Sequence, residues 1–219
     1  MKRYVLILID LIAFSTHAQK HLIGMQGGLN VSDATGMDFP AQEARRGIMA
    51  GISYEYQIKK HFSIGTDLKY EQRGYTAKLT FINSSGQITD KNLKSKFNFN
   101  YISLPIKASF KFGNTVYGFV NGGIVPAIVT DAKLIYHEKI DNNAPINYTK
   151  RIKPFDLGLL LEIGMGYKIK ERYLIFAQLG YQNSVTNSSS EKFFASSTMY
   201  HYGLNGSFGF KFMLKSKSE

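Results

Sequence analysis

Apolar and polar side chains alternate in residues 155–170, which read FDLGLLLEIGMGYKIK. One set of alternate positions holds only aliphatic and aromatic side chains. The other set carries Asp156, Glu162, Lys168 and Lys170 together with three glycines and one leucine. Because successive side chains of a β-strand point to opposite faces, this pattern predicts a strand with one apolar face and one charged, glycine-rich face.

The same period of two recurs along the whole chain. There are eight such runs, and in seven of them one set is apolar and free of charged residues. The eighth, at 116–129, has no charge in either set, so its two faces cannot be told apart. The runs suit the ~9–11 residues that a tilted strand needs to cross a bilayer. They cover residues 23–31, 47–58, 62–71, 101–112, 116–129, 155–170, 173–182 and 200–214.

Short and long connections alternate between these runs. The short ones are residues 59–61, 113–115 and 170–172, and the long polar ones are 32–46, 75–98, 130–153 and 183–199. This alternation is typical of bacterial outer-membrane barrels. The apolar faces are too long to be left in water, and open strand edges in hydrocarbon would leave backbone groups unpaired. The sequence therefore predicts an all-β fold, an eight-stranded antiparallel transmembrane β-barrel. It would be an up-and-down meander with short periplasmic turns, long extracellular loops and both termini in the periplasm.

The charged faces of these strands would line the interior of the barrel. An eight-stranded interior is about wide enough for side chains to fill it, and an unpaired buried charge costs several kcal/mol. We therefore expect paired charges and a filled lumen, with glycines making room, and no open pore. The predicted lumen network has five acids and five bases: Glu55, Asp67, Lys69, Glu71, Arg73, Lys107, Asp156, Glu162, Lys168 and Lys211.

Two basic clusters precede the fourth and sixth runs, where outer loops would meet the bilayer. We expect their side chains either to contact phosphates of the outer-leaflet glycolipid or to remain solvated at the loop edge. The residues are Lys91, Lys94 and Lys96 in one cluster and Lys150, Arg151 and Lys153 in the other.

Net charge and cysteine content limit the kinds of binding and catalytic site that the chain can form. The formal charge is +11 and cysteine is absent, so disulfides and thiolate sites are excluded. The sequence contains no nucleic-acid-binding module and no basic run with stacking aromatics. A phosphate-rich membrane surface is therefore a better candidate than nucleic acid as the partner of a positively charged protein surface. His61, His137 and His201 are isolated from one another, and we expect no metal site, no cofactor and no catalytic site.

The N-terminus reads MKRYVLILIDLIAFSTHAQ, a short basic start followed by an apolar core. Thr16, His17 and Ala18 offer small residues where a signal peptidase would read. The pattern predicts a signal peptide at residues 1–18 and a barrel domain at 19–219. After cleavage no segment is long and apolar enough to cross a membrane as a helix.

Four segments resemble the PorT-type outer-membrane β-barrel family: GGLNVS (27–32), LKYEQRGY (68–75), YISLPIKASFKF (101–112) and FDLGLLLEIGMGYKI (155–169). The resemblance implies an eight-stranded outer-membrane barrel, in a family whose founding member is associated with protein secretion and whose other members often have no assigned activity. The chain departs from the family in its polar tail KFMLKSKSE and in the run at 116–129, which keeps only part of the family's glycine-proline-tyrosine pattern.

We therefore expect a non-enzymatic outer-membrane barrel of structural or partner-binding type, accessory to secretion or to envelope integrity. Two alternatives stay open: a small-solute pore, and a lipid-modifying enzyme that uses His201 with a nearby serine and carboxylate. A soluble ligand-binding barrel of lipocalin type is the alternative at the level of fold. The expected partners are outer-membrane lipid, lipopolysaccharide and an envelope or secretion protein, with no nucleic acid.

Overall fold

The computed structural model describes residues 20–36, 42–82, 88–136, 145–170, 172–190 and 198–214. The signal peptide predicted at residues 1–18 lies outside the described residues. The strands are β1 (Lys20–Thr35), β2 (Glu43–Lys59), β3 (Phe62–Ile82), β4 (Ile88–Ser103), β5 (Ile106–Gly113), β6 (Val116–Tyr136), β7 (Ile146–Asn147), β8 (Phe155–Ile169), β9 (Tyr173–Ser184) and β10 (Tyr200–Leu214). A short 3-10 helix, η1 (Thr149–Arg151), follows β7.

The long strands close into one antiparallel barrel, because each pairs with its successor and β10 pairs with β1. Strands β4 and β5 together form one member of the ring, since both lie between β3 and β6. They are separated at Pro105, which has no N–H to donate, although its carbonyl accepts a 3.1 Å hydrogen bond from Asp67 N. The eight-stranded prediction is confirmed. Among the described residues, no helix is long and apolar enough to cross a membrane.

The apolar set faces outward and the polar set inward. Leu179 and Phe208 are 67% and 73% exposed on the outer wall, whereas Glu162 is fully buried. Strand β6, whose faces the sequence left open, turns Tyr117 and Phe119 into the lumen. Its two faces read alike because its inward residues are nearly as apolar as those that face outward.

The strands at the long-loop end continue past their predicted ends, which corrects the predicted loop boundaries. Residues 75–82, 88–98 and 130–136 were assigned to loops, yet they are paired strand. At roughly 3.3 Å per residue, the part of β3 from Gln72 to Ile82 adds about 35 Å along the strand. Where the side chains of these segments are described, outward ones such as Lys78, Lys94 and Ile135 are exposed and inward ones form a small apolar core. This arrangement differs from the lipid-and-lumen pattern below.

This outer core is a cluster of buried apolar side chains above the polar lumen. Its rings pack closely, and those of Tyr75 and Phe97 stack with centroids 4.6 Å apart. Gly74 lies where the core begins and has a φ of +144°, and Ser32 Oγ accepts a hydrogen bond from its N–H (2.9 Å) and donates one to its C=O (3.1 Å). The outer core comprises Ala34, Tyr75, Ala77, Phe97, Phe99, Tyr101, Ala127, Val129, Ala132, Leu134, Ile152 and Met199.

A second apolar group crosses the lumen near the short turns. This inner aromatic layer includes an edge-to-face pair of Phe119 and Phe176, whose centroids lie 6.3 Å apart. Charged lumen side chains therefore lie largely between two apolar layers. The inner aromatic layer comprises Leu22, Tyr117, Phe119, Leu174 and Phe176.

Candidate functional site

The ten charges predicted for the lumen all occupy inward positions of the barrel wall. Eight of them form ion pairs, and Lys111, which the prediction omitted, forms another with Glu55. Lys111 alternates with Ser109 and Lys107 on the inward face of β5, so the same periodicity could have found it. Within the described residues Lys69 and Lys168 form no ion pair. The ion pairs separate into outer, central and inner clusters along the barrel.

The central cluster is a closed belt of side-chain hydrogen bonds around the lumen. Lys107 Nζ donates to Asp67 Oδ2 at 2.7 Å and to Glu162 Oε2 at 3.2 Å. Gln178 Nε2 donates to Glu162 Oε1 at 3.2 Å and to Gln26 Oε1 at 3.1 Å. Gln26 Nε2 donates to Asp67 Oδ2 at 2.9 Å, which closes the ring. The belt connects β1, β3, β5, β8 and β9 across the lumen, and Asn121 and Ser207 also bond to it.

The outer cluster centres on Arg73, which bridges two carboxylates. Its guanidinium contacts Glu71, and its Nη1 donates to Asp156 Oδ2 at 2.8 Å. The same guanidinium lies 4.5 Å from the centroid of the Tyr101 ring, and Ser184 Oγ donates to Asp156 at 2.7 Å. All three charged groups are buried, and removing one partner of such a pair costs about 3–5 kcal/mol. This cluster therefore fixes β3 to β8 below the outer core.

The inner cluster gathers lysines around one carboxylate. Lys211 Nζ donates to Glu55 Oε2 at 2.7 Å, Lys111 contacts Oε1 of the same group, and Ser63 donates to it at 2.6 Å. Lys168 contributes no ion pair here, and its Nζ lies 5.8 Å from the centroid of the Tyr117 ring. Positive charge thus exceeds negative charge in this cluster.

Lys69 is the second predicted lumen charge, besides Lys168, without an ion pair in the described part of the chain. It is fully buried, and its Nζ has no hydrogen-bond partner among the described residues. Its charge interacts electrostatically with Glu71 and Glu162, which belong to two different clusters. The expectation that every lumen charge is paired fails for Lys69. Strand register determines which side chains meet, and a count of acids and bases does not reveal the register.

Side chains of the three ion-pair clusters and of the two apolar layers occupy the lumen in the described part of the chain. A small cavity of about 20 Å³ remains between Asn30, Arg73, His201 and Asn205. That volume holds about one water molecule. The outer core and the inner aromatic layer lie on either side of the central cluster.

His201, the residue on which the lipid-modifying alternative depends, faces the lumen at the outer end of β10. Its ring packs on Phe99 and Tyr101, with centroids 4.8 and 5.9 Å away. Neither ring nitrogen has a hydrogen-bond partner in the described part, whereas a nucleophile and its base must lie within reach of each other. The described residues also contain no group of three or more His, Cys, Asp or Glu side chains placed to hold a metal ion.

The basic cluster on β4 is partly neutralised. Lys94 Nζ forms a 2.6 Å ion pair with Glu43, and this hydrogen bond and charge lower the pKa of Glu43 below its ordinary value. Lys78, which lay in a predicted loop, is directly opposite Lys94 on β3. Lys96 is half-buried, and the side chain of Lys91 lies outside the described part of the structure.

The second basic cluster surrounds η1 at the same end of the barrel. Lys150, Arg151 and Lys153 are all exposed. The Arg151 guanidinium lies 5.7 Å from the centroid of the Tyr148 ring. These three side chains are free to meet an anionic ligand from solution or from the membrane surface.

Comparisons with known proteins agree with this architecture. A family model described as "outer membrane protein beta-barrel domain" matches residues 17–209. Neisserial surface protein A (NspA) has a similar fold at 12% identity and a TM-score of 0.53, over 90% of this chain and 99% of that one. OprG from Pseudomonas aeruginosa is 9% identical with a TM-score of 0.52, over 90% and 97% of the two chains. No curated protein matches the sequence.

Proposed function

The chain belongs to the outer membrane protein β-barrel domain family, and we propose that it is a non-enzymatic barrel of structural or partner-binding type. Its location is the outer membrane, and residues 1–18 would act as the export signal. The resemblance to PorT-type barrels supports a role as an accessory of a secretion or envelope system. Such a protein would act through its surfaces and would transport nothing.

The closed belt around Lys107 is the observation that carries this proposal. It fills the middle of the lumen, and Glu162 within it is fully buried. Opening a path would break several charge-assisted hydrogen bonds at once and leave buried charges without partners, at a cost of about 3–5 kcal/mol for each broken pair. A small-solute pore would need this rearrangement to form, so the geometry favours a closed barrel.

Planar-bilayer recordings test the closed lumen. We expect the purified barrel to give no steady conductance, with a large porin inserted under the same conditions as the positive control. The variant Lys107→Met removes the cation that joins Asp67 to Glu162. Conductance that appears in this variant and not in the unaltered protein would show that the belt keeps the lumen closed. Steady, reproducible conductance of the unaltered protein would contradict the proposal.

Site-specific photo-crosslinking in outer membranes tests the partner-binding part. A photoreactive residue at Ile135, which is exposed on the part of β6 beyond the predicted barrel run, would reach a partner that docks there. The same residue at Leu179 faces lipid and is the matched control. We expect discrete protein adducts from the outer segment or from the periplasmic turns, and none from the control. Absence of adducts at all outer and turn positions would refute partner binding.

We also propose that the outer basic clusters bind glycolipid phosphates. Lys78 and Lys94 lie directly opposite each other, and Glu43, which pairs with Lys94 at 2.6 Å, offsets only one of these two like charges. Changing Lys96, Lys150, Arg151 and Lys153 to Gln should weaken retention of lipopolysaccharide during purification. Equal retention by this variant and the unaltered protein would leave these residues as a solvated edge.

A further inference from the structure

The inner cluster at the short-turn end has more positive charge than it can neutralise. Three ammonium groups, those of Lys111, Lys168 and Lys211, gather near the single carboxylate of Glu55. Lys111 and Lys168 share one aromatic ring, since each Nζ lies 5.8 Å from the centroid of Tyr117. Two positive charges therefore remain uncompensated in this cluster.

The rim around this mouth is also basic. Lys59 and Lys60 are exposed in the β2–β3 turn, and Lys170 and Arg172 are exposed in the β8–β9 turn. The described residues of the three short turns include no acidic side chain. The sequence places Glu171 in the last turn, which offsets only one of these charges. These positive charges repel one another, so an anionic ligand would be attracted both by the cations of the rim and by the lysines of the mouth.

The position of these lysines identifies the source of the anion. Lys111, Lys168 and Lys211 lie at inward positions and are stacked on rings of the inner aromatic layer, as in the 5.1 Å approach of Lys211 Nζ to Phe176. Phospholipid phosphates lie outside the barrel wall and would have to leave the bilayer to reach the mouth. A soluble periplasmic ligand approaches it along the barrel axis.

We propose that the periplasmic mouth is a docking site for an acidic segment of a periplasmic protein, with its carboxylates bound by Lys168 and by the rim cations. This proposal rests on the partner-binding function proposed above and specifies the chemistry and side of the partner. Lys168 is the selective contact, because it has no acidic partner of its own among the described residues. Lys111 and Lys211 hold Glu55 and supply the surrounding positive potential.

Binding of a fluorescein-labelled hexaglutamate peptide to the barrel in phosphatidylcholine nanodiscs tests the site. We expect Lys168→Gln to weaken binding about two- to fivefold, the range of one exposed to half-buried ion pair. Adding Lys170→Gln and Arg172→Gln should bring the loss to roughly tenfold or more, and raised salt should weaken binding of the unaltered protein. The control Arg46→Gln removes one exposed cation at the opposite end, outside both outer basic clusters, and should have no effect.

Three outcomes would overturn the proposal. One is the absence of peptide binding, and another is an equal loss from Arg46→Gln and Lys168→Gln. The third is displacement of the peptide when phosphatidylglycerol is added to the nanodiscs, which would assign the cations to lipid phosphates. None of these concerns conductance or outer adducts, so the docking site can fail while the proposed function stands.

Discussion

At the scale of single residues, interatomic distances show why glycines occupy several lumen positions. Phe119 is paired with Gly164 and Tyr117 with Gly166, so each ring lies across a glycine on the neighbouring strand. A Cβ on Gly164 would overlap the Phe119 ring and lie 2.6 Å from the Ala177 carbonyl oxygen. The glycines in the charged face of residues 155–170 therefore make room for aromatic rings as much as for charges.

Substituting one glycine on each side of the wall tests this packing. We expect Gly164→Ala to lower the free energy of unfolding by about 1–3 kcal/mol, because an added carbon in a packed interior forces neighbours to shift. Gly122→Ala is the matched control, since a Cβ there meets nothing within 4 Å and faces lipid. Urea titration of the barrel in liposomes, followed by gel mobility, measures both. Equal effects of the two changes would contradict the packing role.

At the scale of elements, the extended part of β3, β4 and β6 is a small lobe with its own core. The Phe99 ring packs between Tyr75, at a centroid distance of 6.3 Å, and His201, at 4.8 Å. The transmembrane wall below is supported separately by the central belt. Loss of outer-core packing should therefore loosen the lobe and leave the barrel closed.

Phe99→Ala separates these two units. Removing a buried phenylalanine costs about 3–5 kcal/mol, which is enough to open a lobe of this size locally. We expect faster amide hydrogen exchange in residues 72–78 and 94–100, with heat-modifiable gel mobility unchanged. Phe110→Ala, at a phenylalanine that faces lipid, is the control and should leave exchange in the lobe unaltered. Loss of heat-modifiable mobility in Phe99→Ala would show instead that lobe and barrel fold as one unit.

For the whole molecule, the decisive fact is that hydrocarbon surrounds the apolar wall. The outward face carries a continuous set of exposed Ile, Leu, Phe, Met and Tyr side chains, while carboxylates and ammonium groups are inside. A soluble barrel of lipocalin type would place these sets the other way round. The family assignment and the arrangement of the faces agree, so the lipocalin-type alternative is wrong.

Charge introduced on the wall tests the same point by depth. Leu179→Arg places a cation near the middle of β9 and should cost about 2–4 kcal/mol of folding free energy in liposomes. Asn183→Arg, near the outer end of the same strand, should cost roughly 0–1 kcal/mol. Denaturant titrations of the two variants give the comparison. Similar costs at the two positions would mean that the wall is not embedded at this depth.

The candidate site was predictable in its composition and only partly in its contacts. Period-two alternation places Glu55, Asp67 and Glu162 inside, because the strand face that carries charged side chains must point away from lipid. Which base meets which acid depends on strand register and side-chain reach, so alternation could not reveal that Lys107 joins Asp67 to Glu162. For the same reason it assigned Lys69 a partner that the described structure does not provide.

The sequence by itself determined the solvent of each face in seven of the eight runs, the number of strands and the alternation of short and long connections. These follow from local periodicity and from the need to pair every backbone group in hydrocarbon. Only the tertiary structure decided how far β3, β4 and β6 extend, which way β6 faces and that apolar layers lie on either side of the central belt. Those features depend on contacts between residues far apart in the chain, such as Phe99 with His201, which no local pattern contains.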